Sequence, residues 1–319
     1  MKFRILVAAL LAAFAAAAHT PAAAQSPLRI IYPYAAGGAG DVAIRMLADR
    51  MQTSLGRAVI VENRGGGGGR IGVSAVKNAA PDGNPVLFTP FAAVTIFPLV
   101  YRSIDYNPFT ELAPVTQICE YDFAIAVRDD HPAKTPTELL AWLKANPLKA
   151  QYGSPGAGAL PHFFGLMIGK AAGVEMQHIP YPGTPPALND LLGGNIAMVT
   201  STASEFVELH RGKKIRVIAV SGKSRQPQLP EVPTFKESGI DIEGGAWYAM
   251  FAPAATPADA IAKVNAAVVA ALKDKEVKAR FETFGFVPTG TTPEELRTIQ
   301  KAAAERWTPV IKASGFQAD

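Results

Sequence analysis

The residues best able to do chemistry fall in two glycine-rich stretches. The first, Pro33-Tyr34-Ala35-Ala36-Gly37-Gly38-Ala39-Gly40-Asp41, follows the apolar run RIIY and leads into a helix-like stretch ending near Leu55-Gly56. Glycines let a backbone approach a ligand closely, and a helix start presents unpaired N–H groups with roughly half a positive charge. Such a junction suits an anion, either a phosphate or a carboxylate. The second stretch, YGSPGAGALPH from Tyr152 to His162, repeats the order strand, loop, helix. A nucleophile elbow, G-x-S-x-G, needs glycine where Tyr152 stands, so a serine hydrolase is disfavoured.

A third run, Gly65 to Gly69, sets Gly67, Gly69 and Gly72 in G-x-G-x-x-G register after the strand-like AVIVEN. A dinucleotide fold would place an acidic residue about 20 positions further on, where this chain has FTPFAA, and Pro81 cuts the helix short. The run therefore reads as a flexible strand-to-helix turn. Gly222-Lys223-Ser224 lacks the upstream glycine of a P-loop and reads as a turn too. The histidines His131, His162, His178 and His210 contain no H-x-x-x-H pair, and Cys119 has no cysteine partner. No catalytic residue, metal site or cofactor is expected. His162 follows a glycine-rich loop, where it either braces the helix start or contacts a ligand.

These loops need elements to hold them. Short β-branched runs alternate with amphipathic helical stretches along the chain, which argues for α/β architecture with mainly parallel sheets. In the first helix Val42 and Met46 mark an apolar face and Asp49-Arg50 a charged one. A second α/β block begins near Phe123, and after the proline-rich SRQPQLPEVPTF the strand-like WYAMFAPA and two helical stretches close the chain. Two blocks with a late return segment suggest two lobes joined by more than one crossing. The beginning, MKFR followed by ILVAALLAAFAAAA and Ala22-Ala23-Ala24, has the form of a secretory signal peptide, residues 1–24, cleaved after Ala24. Removing Lys2 and Arg4 lowers the formal charge from +4 to +2, a balance that argues against nucleic acid. Export also disfavours ATP- or NAD-dependent chemistry. The simplest class is a periplasmic protein without disulfides, large enough for two cores.

Several separated segments together resemble one family, the Bug proteins, which are the extracytoplasmic solute receptors of tripartite tricarboxylate transporters, also called the TctC family. They are Pro33 to Gly38 with Asp41, Val61-Glu62-Asn63-Arg64 with Gly65, Ala80-Pro81-Asp82-Gly83, and Tyr152 to His162. Ile179-Pro180-Tyr181, Ala187 to Gly194, Leu229 to Thr234 and Ala252-Pro253 follow in order. The resemblance implies a two-lobed periplasmic-binding-protein fold of type II kind, each lobe a mainly parallel sheet flanked by helices, with the ligand in the cleft. It sets one lobe at residues 25–121 plus 248–319 and the other at 122–247. It implies a monomeric receptor, not an enzyme, that passes a small organic acid, a mono- or dicarboxylate, to membrane permease subunits. A sensor subunit presenting the ligand to a membrane signalling protein, and an exported carboxylate- or ester-processing enzyme, stay open as alternatives.

Carried over position by position, the resemblance offers Tyr34, Ala36, Gly37, Gly38 and Gly40 from the first loop and Ser154, Gly156, Gly158, Ala159 and His162 from the second. Thr89 and Phe91 join them from the first lobe, and Tyr181, Gly183, Ser201, Thr202 and Trp247 from the remaining cleft segments. Asp41 matches a family aspartate, but its carboxylate would repel a bound one, so it reads first as a loop brace and second as a contact through water. Many relatives have serine where Ala159 stands, and Tyr-Lys-Gly where this chain has Tyr181-Pro182-Gly183. The aspartate that members often have near Ser201 is missing, which disfavours an amino-acid ligand. Tyr34, Phe91, Phe163, Phe164 and Trp247 tilt the expectation towards an aromatic or long-chain acid, although several of them must be core.

Overall fold

The computed structural model describes residues 26–181 and 183–318; the expected signal peptide, residues 1–24, and Pro182 lie outside them. The first run of elements is β1 (Leu28–Tyr32), α1 (Ala39–Leu55), β2 (Val59–Asn63), α2 (Arg70–Lys77), β3 (Val86–Pro90), α3 (Phe97–Val100) and β4 (Leu112–Tyr121). The second is β5 (Phe123–Arg128), α4 (Pro136–Ala145), β6 (Gln151–Pro155), α5 (Leu160–Ala172), β7 (Gln177–Tyr181), α6 (Thr184–Gly193), β8 (Met198–Thr202), α7 (Val207–Arg211) and β9 (Ile215–Val220). The chain then returns through β10 (Ala246–Pro253), α8 (Ala258–Ala271), α9 (Lys275–Thr283), β11 (Val287–Pro288) and α10 (Pro293–Ser314).

Two sheets result, in the orders β11-β4-β10-β3-β1-β2 and β7-β6-β8-β5-β9. Both are mixed, where mainly parallel sheets were expected. β1 pairs in parallel with β2 and β3, and β6 with β7 and β8, whereas β4, β10 and β11 in one sheet and β5 and β9 in the other run antiparallel to their neighbours. This goes with the crossing between lobes. Asp122 alone separates β4 from β5, so the chain passes straight from one sheet into the other, and the strands on either side of that joint are among those that run antiparallel.

Each element follows from its residues. In α1, Ala43, Ile44, Leu47, Ala48 and Met51 are buried at helical spacing, with Val42 and Met46 at the margin of that face. Gly56 ends the helix at φ 63°, its N–H donating to the Gln52 carbonyl. α10 opens with Thr292 and Glu295 capping each other's backbone N–H groups. Three apolar clusters form the core. One lies between the first sheet and α1 and α8, one backs the second sheet, and the largest joins Leu87 and Phe91 to Phe123, Phe163 and Trp307, so it is continuous from one sheet to the other. No helix among the described residues is long and apolar enough to cross a membrane.

Candidate functional site

The two sheets share a local topology that decides where a ligand can sit. β1 has β2 on one side and β3 on the other, and β6 has β7 and β8. The helices leaving the carboxyl ends of such strands diverge, which opens a crevice at that end. The two glycine-rich loops follow these two strands, β1 and β6. The crevice between the sheets is a cavity of about 450 Å³, walled on one side by Tyr34, Gly68, Pro90, Ala92, Tyr101 and Tyr248 and on the other by Phe123, Pro155, Gly158, Ala159, Leu160 and Thr202. Among the described residues that line it there is no Asp, Glu, Lys or Arg.

In the first loop Gly38 is the N-cap of α1 and, being glycine, has no side chain to cap the helix. The first-turn N–H groups of the helix are those an α-helix leaves without internal acceptors. Asp41, buried at 3% exposure, is turned to its own surroundings. Its Oδ2 accepts from Gly37 N–H and Arg45 Nε at 3.0 Å each, and its Oδ1 from Arg45 Nη2 at 3.0 Å and Asn63 Nδ2 at 2.8 Å. Asn63 also donates to the Tyr34 carbonyl at 3.1 Å, so the end of β2 fastens the loop after β1. Gly40 permits a close approach: a Cβ there would lie 2.6 Å from the Tyr32 hydroxyl and 2.9 Å from that of Tyr248. Tyr248 thus connects the start of α1 to the cavity wall. Ala36 is exposed on the same loop.

The second loop is braced by histidines. Gly158 N–H donates to His162 Nδ1 at 3.1 Å, which leaves the ring proton on Nε2, and Gly156 N–H donates to the Tyr181 carbonyl at 2.9 Å. The His162 ring stacks on His178 with centroids 3.9 Å apart, His178 Nε2 lies 2.8 Å from Ser154 Oγ, and the Tyr152 hydroxyl donates to the His162 carbonyl at 2.7 Å. Burial pushes both imidazoles down to about 4, with His162 adding to the effect on His178, so both rings are neutral near pH 7. Ala159 is the N-cap of α5, again with no side-chain capping bond, and Pro161 in the first turn has no N–H to satisfy.

The remaining expected contacts separate into two groups. Tyr34, Gly158, Ala159 and Thr202 meet on the cavity. Thr89 and Phe91 are fully buried in the first lobe, Phe91 edge-on to Trp247 at 5.1 Å, and the cavity wall is made by the flanking Pro90 and Ala92. Trp247 lines a different, smaller cavity of about 160 Å³ with Asp122, Lys223, Arg306 and Trp307. Tyr181 donates to Asp190 Oδ2 at 2.6 Å, Gly183 is the N-cap of α6, and Ser201 is buried against Thr184 and Glu205. Sequence reasoning missed Tyr101, Tyr121, Phe123, Tyr248 and Phe316 on the cavity wall, and Gly68, which brings the third glycine run to its rim. Burial drives the hydroxyls of Tyr34, Tyr121 and Tyr248 well above their ordinary pKa, so each stays protonated and able to donate. An uncharged wall of rings, tyrosine hydroxyls and the start of α5 can hold an organic anion whose body is apolar.

The sequence matches the tripartite tricarboxylate transporter family receptor over residues 43–316. It is 36% identical to a UPF0065 protein of Agrobacterium vitis, covering 91% of this chain and 85% of that one. Among solved structures, the periplasmic binding protein BugD is 33% identical with a TM-score of 0.74, covering 92% of this chain and 99% of its own. A protein from R. palustris solved with adipate is 26% identical with a TM-score of 0.78, covering 92% and 99%.

Proposed function

This chain belongs to the tripartite tricarboxylate transporter receptor family, and on that premise we propose that it is a periplasmic solute-binding protein that captures a small organic carboxylate between its two glycine-rich loops and delivers it to the permease of such a transporter. The observation that carries the reading is the start of α5, without a side-chain cap, on the wall of one uncharged cavity, with the start of α1 joined to that wall through Tyr248. A carboxylate there accepts N–H and tyrosine hydroxyl donors and needs no arginine. Adipate in a structural neighbour supports a small organic acid as the ligand class.

Tyr34, Gly38, Ala159, Thr202 and Tyr248 are the contacts this reading assigns to the ligand, with Gly40 packed beneath Tyr248 and Asp41, His162 and His178 holding the loops in shape. The absence of a fixed charge on the wall favours an acid with an aromatic or aliphatic body over an amino acid, whose ammonium would find no carboxylate among those lining residues. The signal-like residues 1–24 support cleavage after Ala24 and a periplasmic location. Mass spectrometry of the small molecule released by denaturing the purified protein tests the reading, together with a thermal scan against acids and amino acids. A carboxylic acid in the released fraction, and stabilisation by acids alone, is the expected result. Stabilisation by amino acids alone, or by none of the acids, would overturn it.

A further inference from the structure

The segment after α10 belongs to one lobe by its hydrogen bonds and to the other by its side chain. The chain turns at Gly315, φ 64°, and then lies along the end of α3. Ala318 N–H donates to the Val100 carbonyl at 2.7 Å, Arg102 N–H donates to the Ala318 carbonyl at 3.2 Å, and Arg102 Nε donates to Gln317 Oε1 at 3.0 Å. Fastened there, the segment presents Phe316 to the second glycine-rich loop. Its ring meets His162 edge-on at 5.4 Å and Phe163 at 6.0 Å. A Cβ on Gly158 would lie 2.4 Å from the Phe316 ring, so the glycine at that position is what makes room for it. Phe316 and Ala318 both line the cavity.

We propose that Phe316 is a specificity-determining residue, a fixed apolar part of the cavity wall that sets the length of acid the site accepts. The inference rests on reading the cavity as the carboxylate site. A ring fixed from one lobe by backbone bonds and pressed on the other by aromatic contacts is a rigid boundary, and an apolar boundary discriminates roughly 10-fold or more for each methylene that fails to fit. Replacing it with a smaller side chain enlarges the cavity without touching the start of α1.

The test measures dissociation constants by calorimetry for two homologous series, benzoate to 4-phenylbutyrate and succinate to suberate, on the wild type, Phe316→Ala and Phe316→Leu. In Phe316→Ala the preferred acid should become longer, with the ratio of long-acid to short-acid affinity rising about tenfold, and Phe316→Leu should fall between. Should Phe316→Ala fail to fold, the ratio in Phe316→Leu decides alone. A uniform loss across both series, or an unchanged ratio, overturns the assignment of Phe316 and leaves the carboxylate site standing. A wild type that binds no acid in either series overturns both.

Discussion

Asp41 directs its four hydrogen bonds to Arg45, Asn63 and Gly37, and this decides how its loop responds to pH. Burial works to raise its pKa, but the Arg45 guanidinium, the Asn63 amide and the Gly37 N–H outweigh that and hold it below the ordinary carboxylate value. Its contribution to stability is therefore present above the unfolded pKa of about 3.9 and is lost as pH falls through the lower folded value. Asp41→Ala should cost about 1–3 kcal/mol in urea unfolding at pH 7, because it removes the charged acceptor that ties Gly37, Arg45 and Asn63 together. The cost should shrink near pH 3, and an equal cost at both pH values would contradict this account. His162 and His178 work in the opposite sense to a charge-stabilised histidine. With folded pKa values of about 4 and an unfolded value near 6.5, the unfolded chain binds more protons between those limits. Stability should therefore be full above pH 6.5 and fall towards pH 4, each ring contributing up to about 1.4 kcal/mol per pH unit. In His178→Phe the slope should fall by up to about 1.4 kcal/mol per pH unit relative to the wild type; an unaltered slope would show that the pair is not its source.

Between elements, what the sequence shows depends on whether the information is local. The order strand, glycine-rich loop, helix is written in consecutive residues, so both loops and the end of α1 at Gly56 were legible. Orientation and register between distant strands are not. Trp247 and Phe91 were expected at the cleft, yet successive strand residues face opposite ways. The pairing of β10 with β4, which sets Tyr248 opposite Cys119 and then shifts register, turns Tyr248 to the cavity and Trp247 away. Phe91 follows the end of β3 with helical backbone angles, and its ring is buried while the flanking Pro90 and Ala92 line the cavity. Mixed sheets escaped the reading because the single-residue joint at Asp122 carries no signal of strand direction. That joint has a measurable property. Burial raises the Asp122 carboxyl to about 6, although the Gln226 amide bonded to it pulls the other way. A folded pKa above the unfolded one means stability falls as pH rises from about 4 to about 6. Asp122→Asn should then stabilise the protein at pH 7, by up to roughly 2 kcal/mol, and the gain should vanish near pH 4. A destabilised variant at pH 7 would mean that the ionised carboxylate is itself needed at the crossing.

For the molecule as a whole, the two loops sit on different sheets, so a ligand that touches both binds the closed arrangement better than an open one and must shift the population towards it. Gly38 and Gly158 look equivalent in sequence but not as tests of this coupling. Gly158 has φ +72° and Phe316 against it, so a side chain there strains the fold before it meets any ligand. Gly38 has φ −74°, and a Cβ built on it meets nothing within 4 Å. Gly38→Leu should therefore keep the wild-type melting temperature without ligand while placing its side chain where the anion would approach the start of α1. An acid present at 100 times its dissociation constant adds about 2.7 kcal/mol to the wild type, a rise of several degrees in melting temperature for a protein of this size. Small-angle scattering should show the wild type becoming more compact at that concentration. Gly38→Leu should show neither the rise nor the compaction, since one loop alone cannot surround the carboxylate. Compaction of Gly38→Leu at the wild-type acid concentration would mean that closure does not depend on the first loop, and the anion would then have to be held by the second lobe and the tyrosines of the crossing strands.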